Sequence, residues 1–214
     1  MVRYVIEVMS EIREMERIVI VGPKKELLFL EKNYEKVSVV DQEGSMVKNL
    51  LSGISFLEAK GPVLVSTSDI PFLTSEAVTR FLEECRPFEF DFYYPLIPKS
   101  YFNDVPKTFV KLKEGKFAGG NMVLLRAEKM KRLSELSEKI TESRKNPFKI
   151  LSLLGARLPF LYLTRKLSLN DIVNKAEDHG VKGRAMILPY PEVAFDIDNK
   201  EDLLFFFPSK GRNH

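Results

Sequence analysis

The sequence predicts a three-layer α/β domain, a mostly parallel, mixed sheet between layers of helix. Short apolar, β-branched runs alternate with segments of helical periodicity from the first residues onward. The runs are apolar throughout rather than alternating, as strands covered on both faces are. Polar, acid-bearing turns follow several of them. Strand, helix and strand in that order imply parallel pairing through right-handed crossovers.

The elements follow one another regularly in the first half. Val5, Val8, Met9, Ile12 and Met15 recur at helical spacing, so residues 3–15 read as an amphipathic helix. Arg17 to Val21 reads as a buried strand ended by Gly22-Pro23. A short helix from Lys24 precedes a strand over Val37 to Val40, and Asp41 to Ser45 form a polar loop. Val47, Leu50, Leu51, Ile54 and Leu57 mark the next helix, and Pro62 to Ser66 the third strand, followed by the turn Thr67-Ser68-Asp69. Thr74 is placed to cap a helix running to Cys85, with Glu76 in its first turn complementing the helix dipole. Gly22, Asp41 to Ser45 and Thr67 to Asp69 therefore share the carboxyl ends of the strands, where open α/β sheets bind ligands.

The second half is less regular. Phe90 to Leu96 and Thr108 to Leu112 read as strands, Lys113 to Lys116 as a turn, and Gly119-Gly120 as the entry to a strand over Asn121 to Leu125. A helix of about fifteen residues is expected from Glu128, and Asn146-Pro147 opens another. Ser168 and Asp171 fit a capping box, with Gly180 as the stop of that helix. Asn199 and Asp202 cap a last helix in the same way. Residues 1–207 form one domain and 208–214 a frayed tail.

Composition narrows the function classes. Lys and Arg number 33 against 30 Asp and Glu, a balance that argues against a nucleic-acid binder with a basic face. With 44% hydrophobic residues the chain can bury a core large enough to offset ordering entropy. One cysteine, Cys85, excludes an internal disulfide and a multi-cysteine metal site, and reads as a small buried hydrophobe. No uncharged apolar stretch of about 18 residues is present to span a bilayer, so the expectation is a cytoplasmic protein without a membrane partner. Charged residues at 29%, mostly Lys and Glu, lean toward a thermophile.

Two acidic clusters could carry chemistry. Asp69 follows a buried strand, and Pro71 holds the chain as it leaves the sheet. A carboxylate there suits a hard cation bridging to phosphate, and equally a turn or cap. In Phe195-Asp196-Ile197-Asp198, the two carboxylates point to one face of an extended segment, where they repel unless a cation or solvent intervenes. Should the clusters converge, Asp69 with Asp196 and Asp198 would make a carboxylate site for magnesium, suited to phosphoryl or nucleotidyl transfer. Arg144 and Lys145 offer a phosphate contact or a solvated basic helix end, and His179 a dipole partner at a helix terminus. The apolar stretch Ile150 to Leu163, with Phe206 and Phe207, supplies either a homodimer contact or a second helical layer.

The run Val63-Leu-Val-Ser-Thr-Ser-Asp-Ile-Pro-Phe-Leu-Thr74 resembles the strand and acidic turn of MobA-like nucleotidyltransferases. Asp196-Ile-Asp-Asn-Lys-Glu-Asp-Leu203 resembles their closing acidic motif, and Gly119-Gly120-Asn121-Met-Val-Leu-Leu125 is similar to the strand that closes over the acceptor. Order and spacing agree from Met1 to about Phe207. The resemblance implies a Rossmann-like nucleotide-diphospho-sugar transferase fold. It also implies Mg2+-dependent transfer of a nucleoside monophosphate from an NTP to a phosphorylated or hydroxylated small-molecule acceptor, with release of pyrophosphate. Carried over by position, Asp69 is the catalytic carboxylate and first magnesium ligand, and Asp196 or Asp198 supplies the second. Gly119, Gly120 and Asn121 border the acceptor, and Gln42, Gly44 and Ser45 lie near the nucleotide, although a hairpin turn and a plain connecting loop explain the same residues.

The sequence departs from the family at its start. Members open with a strand and a glycine-rich loop bearing an Arg and then a Lys, which cradles the triphosphate. Here Met1-Val2-Arg3-Tyr4 resembles the helix after that loop, and Gly22-Pro23-Lys24-Lys25 follows a different strand with a lone glycine. The expectation is a start at an internal methionine, short by roughly twenty residues on ordinary strand and loop lengths. The rivals are a non-catalytic nucleotide-binding module that has lost the loop, and a glycosyltransferase with similar metal carboxylates.

Overall fold

The computed structural model describes residues 1–102, 105, 107–130, 147–178, 180–197, 199 and 202. It opens with helix α1 (Val2–Glu11), then strand β1 (Ile18–Gly22), short helices α2 (Lys24–Leu27) and α3 (Phe29–Asn33), strand β2 (Val37–Asp41) and helix α4 (Met46–Leu57). Strand β3 (Pro62–Ser66), helix α5 (Ser75–Cys85) and strands β4 (Phe92–Pro98), β5 (Val110–Leu112), β6 (Gly115–Gly119) and β7 (Met122–Arg126) follow. Helices α6 (Pro147–Leu154), α7 (Arg157–Leu163) and α8 (Leu169–Asp178) precede strand β8 (Gly183–Ile187) and a single 3-10 turn over Pro191–Ala194.

Local signals place most of these elements where the residue pattern predicts them. Ser45 caps α4 by accepting from the Lys48 N–H, and Thr74 caps α5 by accepting from the Ala77 N–H. The Ser168–Asp171 capping box forms in both directions, and so does the Asn199–Asp202 pair. The first helix ends four residues before the expected position, because Ile12 turns to an extended conformation and buries in the core. The helix expected from Glu128 begins with a 3-10 turn over Ala127–Lys129, and residues 131–146 lie outside the described residues.

The sheet differs from the expected one. β1 and β2 pair in parallel as a separate two-stranded sheet. The larger sheet runs β3-β7-β4-β6-β5, with β8 on the other edge of β4. In it only β4 and β8 are parallel, while β3–β7, β7–β4, β4–β6 and β5–β6 are antiparallel. The sheet is therefore mixed and mainly antiparallel, and the expectation of a mostly parallel sheet is corrected. The crossover from β3 through α5 does not bring β4 beside β3, because β7 returns between them and is antiparallel to both.

Helices hold the two sheets together. On one face Gly53 of α4 packs on Val19 and Val21 of β1, while Leu50, Leu51, Ile54 and Leu57 pack with Val63 and Leu125 of β3 and β7. On the other face α1 turns Ile6 toward Leu30, Val37 and Val39, and Val5 and Met9 toward the α5 side, where Phe81 and Cys85 are fully buried. Ile150 to Leu163 forms α6 and α7, in which Leu151 and Leu158 close a small core with Leu167 and Leu112. Phe160 and Leu163 of the same stretch remain exposed. Phe206 and Phe207 lie outside the described residues.

Candidate active site

Asp69 is fixed by the chain on both sides of it. The Thr67 N–H donates to the Asn121 carbonyl at 3.0 Å, extending the β3–β7 ladder past the end of the strand. Ile70, fully buried, anchors the next residue, and Pro71 leads on to the Thr74 cap. The Asp69 carbonyl accepts a 3.0 Å hydrogen bond from the Ile197 N–H, which brings the first acidic turn beside the second. Asp69 Oδ1 is buried and has no hydrogen-bond partner among the described residues. Such an atom carries an unmet desolvation penalty, which a cation or a donor from a ligand would remove.

Asp196 reaches the same place from the other end of the chain. The Pro191–Ala194 turn buries Val193 and Ala194 completely, and the Val193 carbonyl accepts from the Asn121 N–H at 2.9 Å. Thr74 donates its hydroxyl to Glu192 at 3.0 Å, tying this turn to the start of α5. Phe195 then packs edge-on against Phe72 at 6.4 Å and Phe102 at 5.5 Å, which fixes the chain just ahead of Asp196. The Lys107 ammonium pairs with Asp196 Oδ1, and both side chains are only about a fifth exposed. Burial would push the Asp196 carboxyl up. The Lys107 ammonium, the residue's own backbone and the Asn121 amide outweigh that effect and hold it below the usual carboxylate range.

Asn121 completes the cluster through an irregular strand. β6 and β7 pair with the two ends of β4 in registers that differ by two residues, so the chain bulges at Gly120-Asn121. The Gly120 N–H stays bonded to the Pro95 carbonyl at 2.9 Å, while the side-chain amide of Asn121 is buried and acts on Asp196. Both glycines stand against neighbouring side chains. A Cβ on Gly119 would stand 2.2 Å from the Tyr94 hydroxyl oxygen, and one on Gly120 would stand 2.7 Å from Pro95 Cγ and 2.8 Å from Val193 Cγ1. Tyr94 thus joins the cluster, its hydroxyl pushed up by burial and by the nearby Asp196 charge.

The loop residues read as nucleotide contacts make local hydrogen bonds. The Gln42 N–H donates to the Gly22 carbonyl, Gly44 takes a φ of +102° with open space around its Cα, and Ser45 is the α4 cap. All three are exposed beyond the carboxyl end of β2, next to a groove of about 540 Å³ lined by residues that include Glu43, Lys48, Leu51 and Phe56. Cys85 is fully buried, and burial pushes its thiol up to about 12. Asp198, Arg144, Lys145 and His179 lie outside the described residues.

Lys107 pairs with Asp196 and Tyr94 lies within reach of its charge, although sequence reasoning did not single them out. The available signal was faint: Lys107 is the lone cation in the run Tyr101 to Val110. Among the described residues no group of three or more His, Cys, Asp or Glu gathers that could hold a metal. The two carboxylates present, with one buried oxygen unpartnered, still fit magnesium, which takes one or two protein carboxylates and fills its octahedron with water and phosphate oxygens. No described helix is long and apolar enough to cross a membrane.

No curated protein sequence matches the chain. Among solved structures, a hypothetical transferase from Thermus thermophilus is similar at 32% identity and a TM-score of 0.78, covering 95% of this chain and 85% of that one. The 4-diphosphocytidyl-2C-methyl-D-erythritol synthase of Anaerococcus prevotii shares the fold at 14% identity and a TM-score of 0.58, covering 95% and 82%. A CMP:2-keto-3-deoxy-manno-octonic acid synthetase complexed with CTP does so at 11% and 0.56, covering 87% and 78%. The family model for the MobA-like NTP transferase domain matches residues 1–152. A Rossmann-like α/β fold with two acidic turns on one site, matched by that family model and by a structural relative at 32% identity, places the chain in the MobA-like NTP transferase family of nucleotidyltransferases.

Proposed function

We propose that the protein transfers a nucleoside monophosphate from an NTP to a phosphorylated or hydroxylated small-molecule acceptor, releasing pyrophosphate, with Mg2+ held by Asp69 and Asp196. The observation that supports this reading is the backbone hydrogen bond from the Ile197 N–H to the Asp69 carbonyl, which joins the two acidic turns, together with the buried, unpartnered Asp69 Oδ1. When bound, the metal supplies charge neutralisation at the α-phosphate and a template for in-line displacement. The protein's part is positioning: Asp69 is held between β3 and α5, and the buried Asn121 amide acts on Asp196. Gly119 and Gly120 keep the backbone at this point close to the cleft, and Gln42, Gly44 and Ser45 border the nucleotide.

The test is pyrophosphate release with a panel of NTPs, CTP included because a protein of the same fold binds it, against sugar and alcohol phosphates. Asp69→Asn is expected to lower the rate by at least about a hundredfold, the scale of losing an electrostatic stabiliser of the transition state. No pyrophosphate from any pair, or an Asp69→Asn variant as active as the parent, refutes the transferase reading. Release of a nucleoside diphosphate from a sugar nucleotide would instead identify a glycosyltransferase.

A further inference from the structure

The two carboxylates of the cluster are answered unequally by the protein. Asp69 keeps a buried oxygen without a partner among the described residues, whereas Asp196 is paired with the Lys107 ammonium. The pairing is not an accident of an exposed side chain, because Lys107 and Asp196 are 20% and 21% exposed. The loop carrying Lys107 is fastened to the segment carrying Asp196: Phe102, 4% exposed, packs edge-on against Phe109 at 5.3 Å and against Phe195 at 5.5 Å. Rings on both sides of Lys107 thus hold its backbone beside the residue that precedes Asp196.

We propose that Lys107 is a resident counter-ion of the metal site, occupying Asp196 while the metal is absent and giving it up when a divalent cation binds. The inference rests on the magnesium site of the proposed function. Asp196 is only about a fifth exposed, and an ammonium on it neutralises a poorly solvated carboxylate without any ligand. A divalent cation held by Asp69 and Asp196 would compete with Lys107 for the Asp196 carboxylate, because an ammonium next to a dication is repelled. Metal binding therefore includes the release of Lys107, which weakens the affinity for metal alone. A ligand that arrives with its own phosphates offers the released ammonium a new partner, so the site favours the metal–nucleotide complex over the free cation.

Titration of metal-free protein with Mn2+ and no nucleotide, followed by electron paramagnetic resonance of the free ion, tests this. The parent, Lys107→Met, Lys107→Gln and Asp69→Asn are compared, with folding of each verified by thermal unfolding in EDTA. The two Lys107 variants are expected to bind one Mn2+ about tenfold more tightly than the parent, the order expected for removing one neighbouring charge from a partly buried site. Their melting temperatures should also rise more on adding Mn2+ than the parent's does, and Asp69→Asn should abolish the binding. Lys107 variants that bind Mn2+ no more tightly than the parent, or Mn2+ binding that survives Asp69→Asn, overturn the proposal. The expected Mn2+ shift without pyrophosphate release from any substrate pair would sustain the counter-ion role and refute the transferase reading instead.

Discussion

Replacing Gly120 by alanine separates two reasons for a glycine at the bulge between β6 and β7. If the residue is small to make room for an acceptor, an added methyl weakens acceptor binding and leaves stability alone. The structure supports the other reason. A Cβ at Gly120 would stand 2.7 Å from Pro95 Cγ and 2.8 Å from Val193 Cγ1, well inside ordinary carbon contact. Neither neighbour yields easily, because Pro95 is a ring within β4 and Val193 is a fully buried, β-branched residue. Overpacking of this kind costs about 1–3 kcal/mol. For a domain of this size each kcal/mol lowers the melting temperature by about 2–4 °C, so a loss of about 4–8 °C is expected for a mid-range cost. Val193→Ala removes one of the two obstacles, so the double variant should be more stable than the sum of the two single losses by about 1 kcal/mol. Thermal unfolding followed by circular dichroism on all four proteins measures both quantities. A Gly120→Ala protein melting within about 1 °C of the parent, with a raised KM for acceptor alone, would refute the packing account and restore the ligand account.

Two further outcomes follow from the ionisable groups. The Ser168 hydroxyl and backbone N–H hold the Asp171 carboxyl below the usual carboxylate range, and Lys107 does the same for Asp196 against the opposing effect of burial. Groups with lowered native values add stability above the unfolded value of about 3.9 and lose it as pH falls through the native ones. Ser168→Ala should therefore cost about 1 kcal/mol at pH 7, and the gap in melting temperature to the parent should narrow below about pH 4. An undiminished gap at pH 3 would contradict the assignment. Cys85, its thiol pushed up to about 12 by burial, should resist a thiol-disulfide reagent at pH 8 in the native protein and react after unfolding. Prompt labelling of the folded chain would show that α5 is not packed as described.

Much of the architecture was legible because it is written locally. The helices over Val2–Glu11, Met46–Leu57 and Ser75–Cys85 follow from apolar spacing and, for the last two, a capping side chain. The strands up to Ser66 are short, Val- and Ile-rich runs. β6 was hidden because it begins inside a polar stretch that reads as a turn, with Gly115 at a φ of +146° closing a tight hairpin at Lys113-Glu114. β8 was hidden because Gly183 to Ile187 is short and mixed in polarity, and it exists as a strand through its pairing with β4. The acidic turns were visible individually, since each is a carboxylate beside a recognisable strand or cap.

The sequence by itself determined the order of elements up to α5, the Thr74 and Ser168–Asp171 caps, the family to which the chain belongs and the candidacy of Asp69, Asn121 and Asp196. Periodicity, turn chemistry and local motifs depend on neighbours a few residues apart, so they survive in a string of letters. Only the tertiary structure decided that the sheet is mainly antiparallel and that Asp69 sits beside Ile197. It also decided that a lysine 89 positions from Asp196 neutralises that carboxylate. Those relations join segments far apart in the chain, and they form only when burial and strand pairing repay the entropy of closing the long loops between them.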